Sequence, residues 1–117
     1  MNLWGPRTQV SKQAIATNQT TIIHTVTAGK ILHLLNALLH LTAAAVGNAS
    51  ILVRDGSDVT VRHLAGVRVG ATTQNDGVPQ FNPAMPMEIP AGYDVCVVSS
   101  IAGLTAEGDI FGYEIDV

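Results

Sequence analysis

Charge, cysteine and aromatic rings are all scarce in this sequence, and each shortage removes a class of protein. Charged residues fill 13% of its 117 positions, about half the usual ~25%, so few groups are available to keep the surface of a lone copy polar. The one cysteine, Cys96, can form no internal disulfide and gives no sign of an oxidising compartment; it is expected as a thiol buried in a strand. One Trp, two Tyr and two Phe, without clustered bases, are a poor basis for nucleic-acid binding, which uses cations for phosphate and rings for stacking. No apolar run is long enough to span a membrane with a helix. The first ten residues lack an apolar stretch followed by a small-residue cleavage site, so neither membrane insertion nor export is expected. Bases disappear altogether beyond Arg68, and Val69 to Val117 holds seven acids with no Lys or Arg. Such halves are either plain solvated positions or unlike faces that meet on neighbouring copies.

What is present points to sheet. Apolar residues reach 47%, and the stiff β-branched Val, Ile and Thr are abundant, which suits a pleated, half-buried surface better than a helix. The length fits one domain. Met1 to Asn18 lacks sustained periodicity and contains Trp4, Gly5 and Pro6. That predicts an extended N-terminal arm, residues 1–18, with a short strand near Gln13 to Thr17, before a domain at residues 19–117.

Within the domain, Thr20 to Val26 reads as a strand. Two readings compete for Lys30 to Val46. A helix would align His33, Asn36, Ala37 and His40 on one face with leucines opposite; against it, no N-cap precedes the run, and the turn before it recurs in front of a plain strand. The strand is the reading adopted. Ser50 to Arg54 and Val59 to Val69 flank Asp55-Gly56-Ser57-Asp58 as a hairpin, with Val59, Val61, His63, Ala65, Val67 and Val69 on one face. Ala71 to Asn82 is a polar crossing or projecting loop. Met85, Met87 and Ile89 alternate with Pro86 and Glu88, and Pro86 confines that strand to an edge or a bulge. Tyr93 to Ser99 follows, and in the last strand Phe111, Tyr113, Ile115 and Val117 alternate with Gly112, Glu114 and Asp116.

One turn pattern occurs twice, as Val26-Thr27-Ala28-Gly29-Lys30 and Ile89-Pro90-Ala91-Gly92-Tyr93. Each copy lies between strand-like runs, where glycine supplies the positive φ of a tight turn. Their equivalent settings predict an all-β fold, a jelly-roll-like antiparallel β-sandwich of about eight strands.

Chemistry is hard to find. None of His24, His33, His40 and His63 sits beside a second ligand at a metal-site spacing, and a regular strand would turn His33 and His40 to opposite faces. Cys96 and Ser99-Ser100 lack a nucleophile signature. Glu114 and Asp116 share a strand face and read as solvated edge residues. The expectation is a protein that is not an enzyme, with no catalytic residue, no cofactor and no metal.

Val26-Thr27-Ala28-Gly29-Lys30, a long apolar strand, Leu52-Val53-Arg54-Asp55-Gly56, Pro86-Met87-Glu88-Ile89-Pro90-Ala91-Gly92-Tyr93 and Gly108-Asp109-Ile110-Phe111-Gly112-Tyr113-Glu114 follow one another in an order that resembles small virion proteins of tailed bacteriophages. In particular, Thr20 to Val117 is similar to the jelly-roll decoration, or cement, proteins that bind the outside of phage heads. The resemblance implies a homotrimer on the outer capsid surface of a virion, with the major capsid protein as partner and an N-terminal arm reaching the shell or an adjacent subunit. It makes Leu3, Trp4, Pro6 and Arg7 the candidate partner-binding residues. The alternative is a receptor- or glycan-binding β-module of a tail fibre or spike, for which Trp4 and Tyr93 are the candidate stacking rings.

Overall fold

A computed structural model describes residues 7–43, 45–70 and 75–117, and among these there is no helix. Ten strands are present: β1 (Arg7–Thr17), β2 (Thr20–Thr25), β3 (Lys30–Ala43), β4 (Gly47–Arg54), β5 (Thr60–Val69), β6 (Asn75–Val78), β7 (Gln80–Phe81), β8 (Met87–Ile89), β9 (Asp94–Ser99) and β10 (Thr105–Asp116). They form two antiparallel sheets. One runs β1-β10-β3, with β7 and β8 in turn along the far side of β3; the other runs β2-β9-β4-β5-β6.

The chain alternates between sheets from β1 to β4 and again from β8 to β10, while the pairing runs in reverse order. β1 and β3 flank β10, and β2 and β4 flank β9. An antiparallel ribbon rolled over on itself produces this order. The fold is a jelly roll. β7 and β8 share one strand position and β6 is an added return on β5, which reconciles ten strands with the eight positions expected.

The leucine-rich run is a strand, β3, despite its local helical fit. It lies inside a sheet, paired with β10 on one side and with β7 and β8 on the other, and that pairing outweighs the modest helix preference of leucine. Leu32, Leu34, Ala37 and Leu39 point into the core with Ile51, Val53, Val95, Val97 and Ile110 from the strands around them. Alternate residues of β10 are buried, Ala106, Gly108, Ile110, Gly112 and Glu114, and three of the five are alanine or glycine. A Cβ at Gly108 would come within 2.9 Å of Ile23 and 3.0 Å of Val97 on the facing sheet, so a bare backbone at that point sets how closely the sheets approach.

Four sequence expectations change. The segment read as an arm is a strand from Arg7 onward, paired with β10 along its whole length from Arg7 opposite Ile115 to Thr17 opposite Thr105. Its polar side chains hid it, because an edge strand needs only Val10 and Ala16 buried. The hairpin of β4 and β5 is present, but its register shifts twice, between Ile51 and Leu52 and between Val53 and Arg54. Each bulge breaks the period-two pattern, so Leu64 is buried while Val59 and Val61 are exposed. A shift between Phe111 and Gly112 on β10 likewise skips Leu35 of β3, and His33 and His40 then share a face. Finally, the roll interleaves the basic and acidic halves of the chain. Lys30 meets Asp116 at 3.6 Å, His40 meets Glu107 at 2.8 Å and Arg54 meets Asp94 at 3.5 Å.

The segment from β6 to β7 is a crossing: β6 closes on β5 in one sheet, and after Pro79 β7 joins β3 in the other. β8, the strand after Pro86, lies at an edge.

Candidate functional site

Two places in the roll concentrate interactions beyond plain packing. The first is the end where both Ala-Gly turns cross between sheets. In each turn the residue after the glycine donates to a carbonyl three residues back, Lys30 N to Thr27 O at 3.1 Å and Tyr93 N to Pro90 O at 3.3 Å. Gly29 and Gly92 have φ of 78° and 82°, the value a type II turn demands at its third residue. The turns are also tied to each other, since Gly92 N donates to Val26 O and Val26 N to Tyr93 O, both at 2.9 Å. Val117 N donates to Gly29 O, which fastens the end of β10 to the same corner.

Glu114 is buried beneath that corner. Its Oε1 lies 3.0 Å from His24 Nε2, and because a carboxylate only accepts, the imidazole proton is on Nε2. Thr27 donates twice more, from N to Oε2 at 2.9 Å and from Oγ1 to Oε1 at 3.0 Å. Burial alone would push the Glu114 carboxyl up, but the two Thr27 bonds and His24 together hold it below the ordinary glutamate value. This corrects the sequence reading of Glu114 as a solvated edge residue. β10 has partners on both sides, and Glu114 joins the two sheets through His24 of β2; Asp116, two residues on, is exposed as expected.

The second place is the outward face of the β1-β10-β3 sheet, the candidate contact surface. Its centre is apolar. Phe111 and Tyr113 of β10 pack edge to face with ring centroids 5.5 Å apart. Leu35 and Leu38 of β3 adjoin them, half-buried and 38% exposed respectively. Ile31 and Ile115 pair at one end, and Ile15 at the other is 55% exposed. The outer face of a sandwich sheet ordinarily carries polar residues; on this one apolar side chains are set among them, Phe111 between Ser11 and Asn36 and Tyr113 between Gln9 and His33. Arg7 places its guanidinium 5.8 Å over the Tyr113 ring. It lines a shallow groove of about 250 Å3 with His33, Leu35, Pro86, Tyr113 and Ile115. At the opposite end Glu107 and Asp109 lie two residues apart on β10, where burial first and Glu107 second push the Asp109 carboxyl up.

Of the four residues singled out from the sequence, Arg7 is on this face, exposed, at the start of β1. Leu3, Trp4 and Pro6 lie outside the described residues. Tyr93 is partly buried and packed against the core. The four histidines are dispersed: His24 in the turn corner, His33 near Glu88, His40 on Glu107, His63 exposed on β5. No group of three metal-ligating side chains occurs among the described residues. Cys96 is buried in β9. Sequence reasoning missed Phe111, Tyr113, Leu35 and Leu38 as surface residues. The alternation in β10 was visible, but an apolar alternate set is ordinarily assigned inward, and here glycine and alanine take the inward positions.

No protein-family profile and no curated protein sequence matches the chain. Among solved structures, the Drosophila NLP-core, whose crystal structure concerns pentamer formation and histone binding, is similar with a TM-score of 0.49 and 14% identity, covering 93% of this chain and 98% of that one. A likeness at that level carries no argument about what this chain does.

Proposed function

We propose that this chain is a virion structural protein that binds the outer surface of a tailed-phage capsid as a homo-oligomer and stabilises the shell. The observation that carries the reading is the apolar outward face of the β1-β10-β3 sheet: among the described residues Phe111, Tyr113 and Leu35 are only partly buried and Leu38 is 38% exposed, in a chain with few charges to offset them. Exposed apolar patches of this kind mark contact with other proteins. The jelly-roll strand order supports the resemblance to decoration proteins, and a trimer is what that resemblance implies. A partner that binds only the assembled shell stabilises it by mass action. The reading assigns no catalytic, cofactor or metal role to any residue. Among the described residues Tyr93, one of the two candidate stacking rings of the glycan-binding alternative, packs against the core.

The test is binding to purified tailed-phage heads, empty and DNA-filled, followed by heating. Saturable binding, with head disruption moved to higher temperature, is the expected result. A chain that stays monomeric at high concentration and binds neither kind of head is not a decoration protein. Arg7→Ala in the same assay reports whether the β1 end of the face touches the shell, the expected effect being weaker binding by an intact fold.

A further inference from the structure

The shallow groove at the Arg7 end of the outward face is walled by successive elements: Arg7 on β1, Tyr113 and Ile115 on β10, His33 and Leu35 on β3, and Pro86 just ahead of β8. Leu35, Tyr113 and Ile115 are partly buried and form an apolar floor. The far rim is polar, with an exposed Glu88 whose Oε1 lies 4.0 Å from His33 Nε2. Arg7 is also where the described chain begins, so residues 1–6 enter the fold at the near rim. Among them are Leu3 and Trp4, followed by Gly5-Pro6. We infer that residues 1–6 lie across the outward face of their own copy, with the Trp4 ring seated in this groove against Leu35, Tyr113 and Pro86. The inference goes beyond the capsid reading and does not rest on it.

Reach, chemistry and tethering select this occupant. An extended chain covers at most about 3.5 Å per residue, which lets Trp4 stand about 10 Å from Arg7 and Leu3 about 14 Å. Neighbouring strands lie about 4.8 Å apart. β3 is the second strand in from β1 and β8 the third, so Trp4 reaches β3 and Leu3 reaches β8. At the bend, Pro6 has no N–H to carry on the β1-β10 ladder, and Gly5 accepts backbone angles that other residues resist. The chain can therefore leave the strand direction and cross the sheet. An indole suits an apolar seat with one acceptor at its edge; Leu35, Tyr113 and Pro86 give the seat, and the Glu88 carboxylate is the acceptor at the rim. A short tether holds Trp4 at an effective concentration on the order of millimolar, so in dilute solution the groove of its own copy outcompetes that of a second one. With Trp4 in place, the part of the face left to another protein is the half around Phe111, Leu38 and Ile15.

Trp4 is the chain's one tryptophan, so fluorescence of the full chain reads its surroundings without background. The emission is expected to be blue-shifted from that of the urea-unfolded chain, protected from acrylamide and independent of protein concentration. Leu35→Glu puts a charge in the seat and is expected to move the emission to the red, to the unfolded-chain position, while circular dichroism stays that of sheet. A measurement on the wild type guards against a variant that fails to fold: nuclear Overhauser contacts are expected from the indole protons to the Leu35 methyls and the Tyr113 ring. Mixing isotope-labelled with unlabelled copies separates contacts within a copy from contacts between copies, and only the former are expected. Unfolded-like emission from the native protein, no red shift in a folded Leu35→Glu variant, an indole in contact with other residues only, or contacts only between copies overturns the inference. None of these readouts involves a phage head. A chain that binds no head therefore ends the capsid reading and leaves this one standing, and an unseated Trp4 in a chain that binds heads does the reverse.

Discussion

Glu114 is an acid among positions otherwise given to apolar or small side chains, and three donated hydrogen bonds hold it there. Removing one side of a buried, charged network leaves the other side unpaired, which costs more than the network itself contributes. Glu114→Ala is therefore expected to lose about 3 kcal/mol in urea unfolding, and Glu114→Gln, which can still accept from Thr27, noticeably less. The pH dependence has a definite sign. The folded carboxyl sits below the ordinary value of 4.5, so its contribution is complete above that value and is lost as pH falls through the lowered folded one. Urea midpoints of the wild type should drop on acidification below about pH 4.5, and Glu114→Gln should flatten that drop; parallel curves for the two proteins would assign the acid sensitivity to other groups. The sequence could not disclose this role, because a carboxylate on an alternating strand reads as outward until a partner ninety residues away is brought beside it.

At the scale of elements, the two Ala-Gly turns were legible and the first strand was not. Positive φ at Gly29 and Gly92 costs a residue with a Cβ about 1–2 kcal/mol, and no atom lies within 4 Å of a Cβ built at either site, so conformation alone is at stake. Gly29→Ala and Gly92→Ala should each lose that amount. Gly56→Ala, in the β4–β5 loop at a glycine without positive φ, should lose far less, and an equal loss at all three would mean that φ is not the cause. β1 contributes differently. Deletion through Val10 removes the pairing from Arg7–Ile115 to Val10–Gly112 and the buried side chain of Val10. It should lower thermal stability and widen hydrogen exchange along β10 as well as β1. Unchanged exchange in β10 would show that β1 is dispensable to the roll. Bulges belong to this scale too, since they reversed the facing of Val61 and brought His33 onto the face of His40 without any signal in residue type.

At the scale of the whole molecule, the first and last strands close the same sheet, so the fold is complete only when residues 7 and 115 meet. Pairing over that separation must overcome loop-closure entropy before it is rewarded. Refolding is expected in milliseconds to seconds, and a stopped-flow phase in microseconds would contradict the roll order. By itself, the amino-acid sequence determined the class: β-branched composition, alternation in the later strands and two glycine turns in equivalent places all report local backbone preference, which neighbouring residues carry. The tertiary structure alone decided that the leucine run is a strand, that Glu114 is buried and that Phe111 and Tyr113 face outward. Each of these depends on which strands lie beside and behind a residue, and in a jelly roll those neighbours come from the far end of the chain.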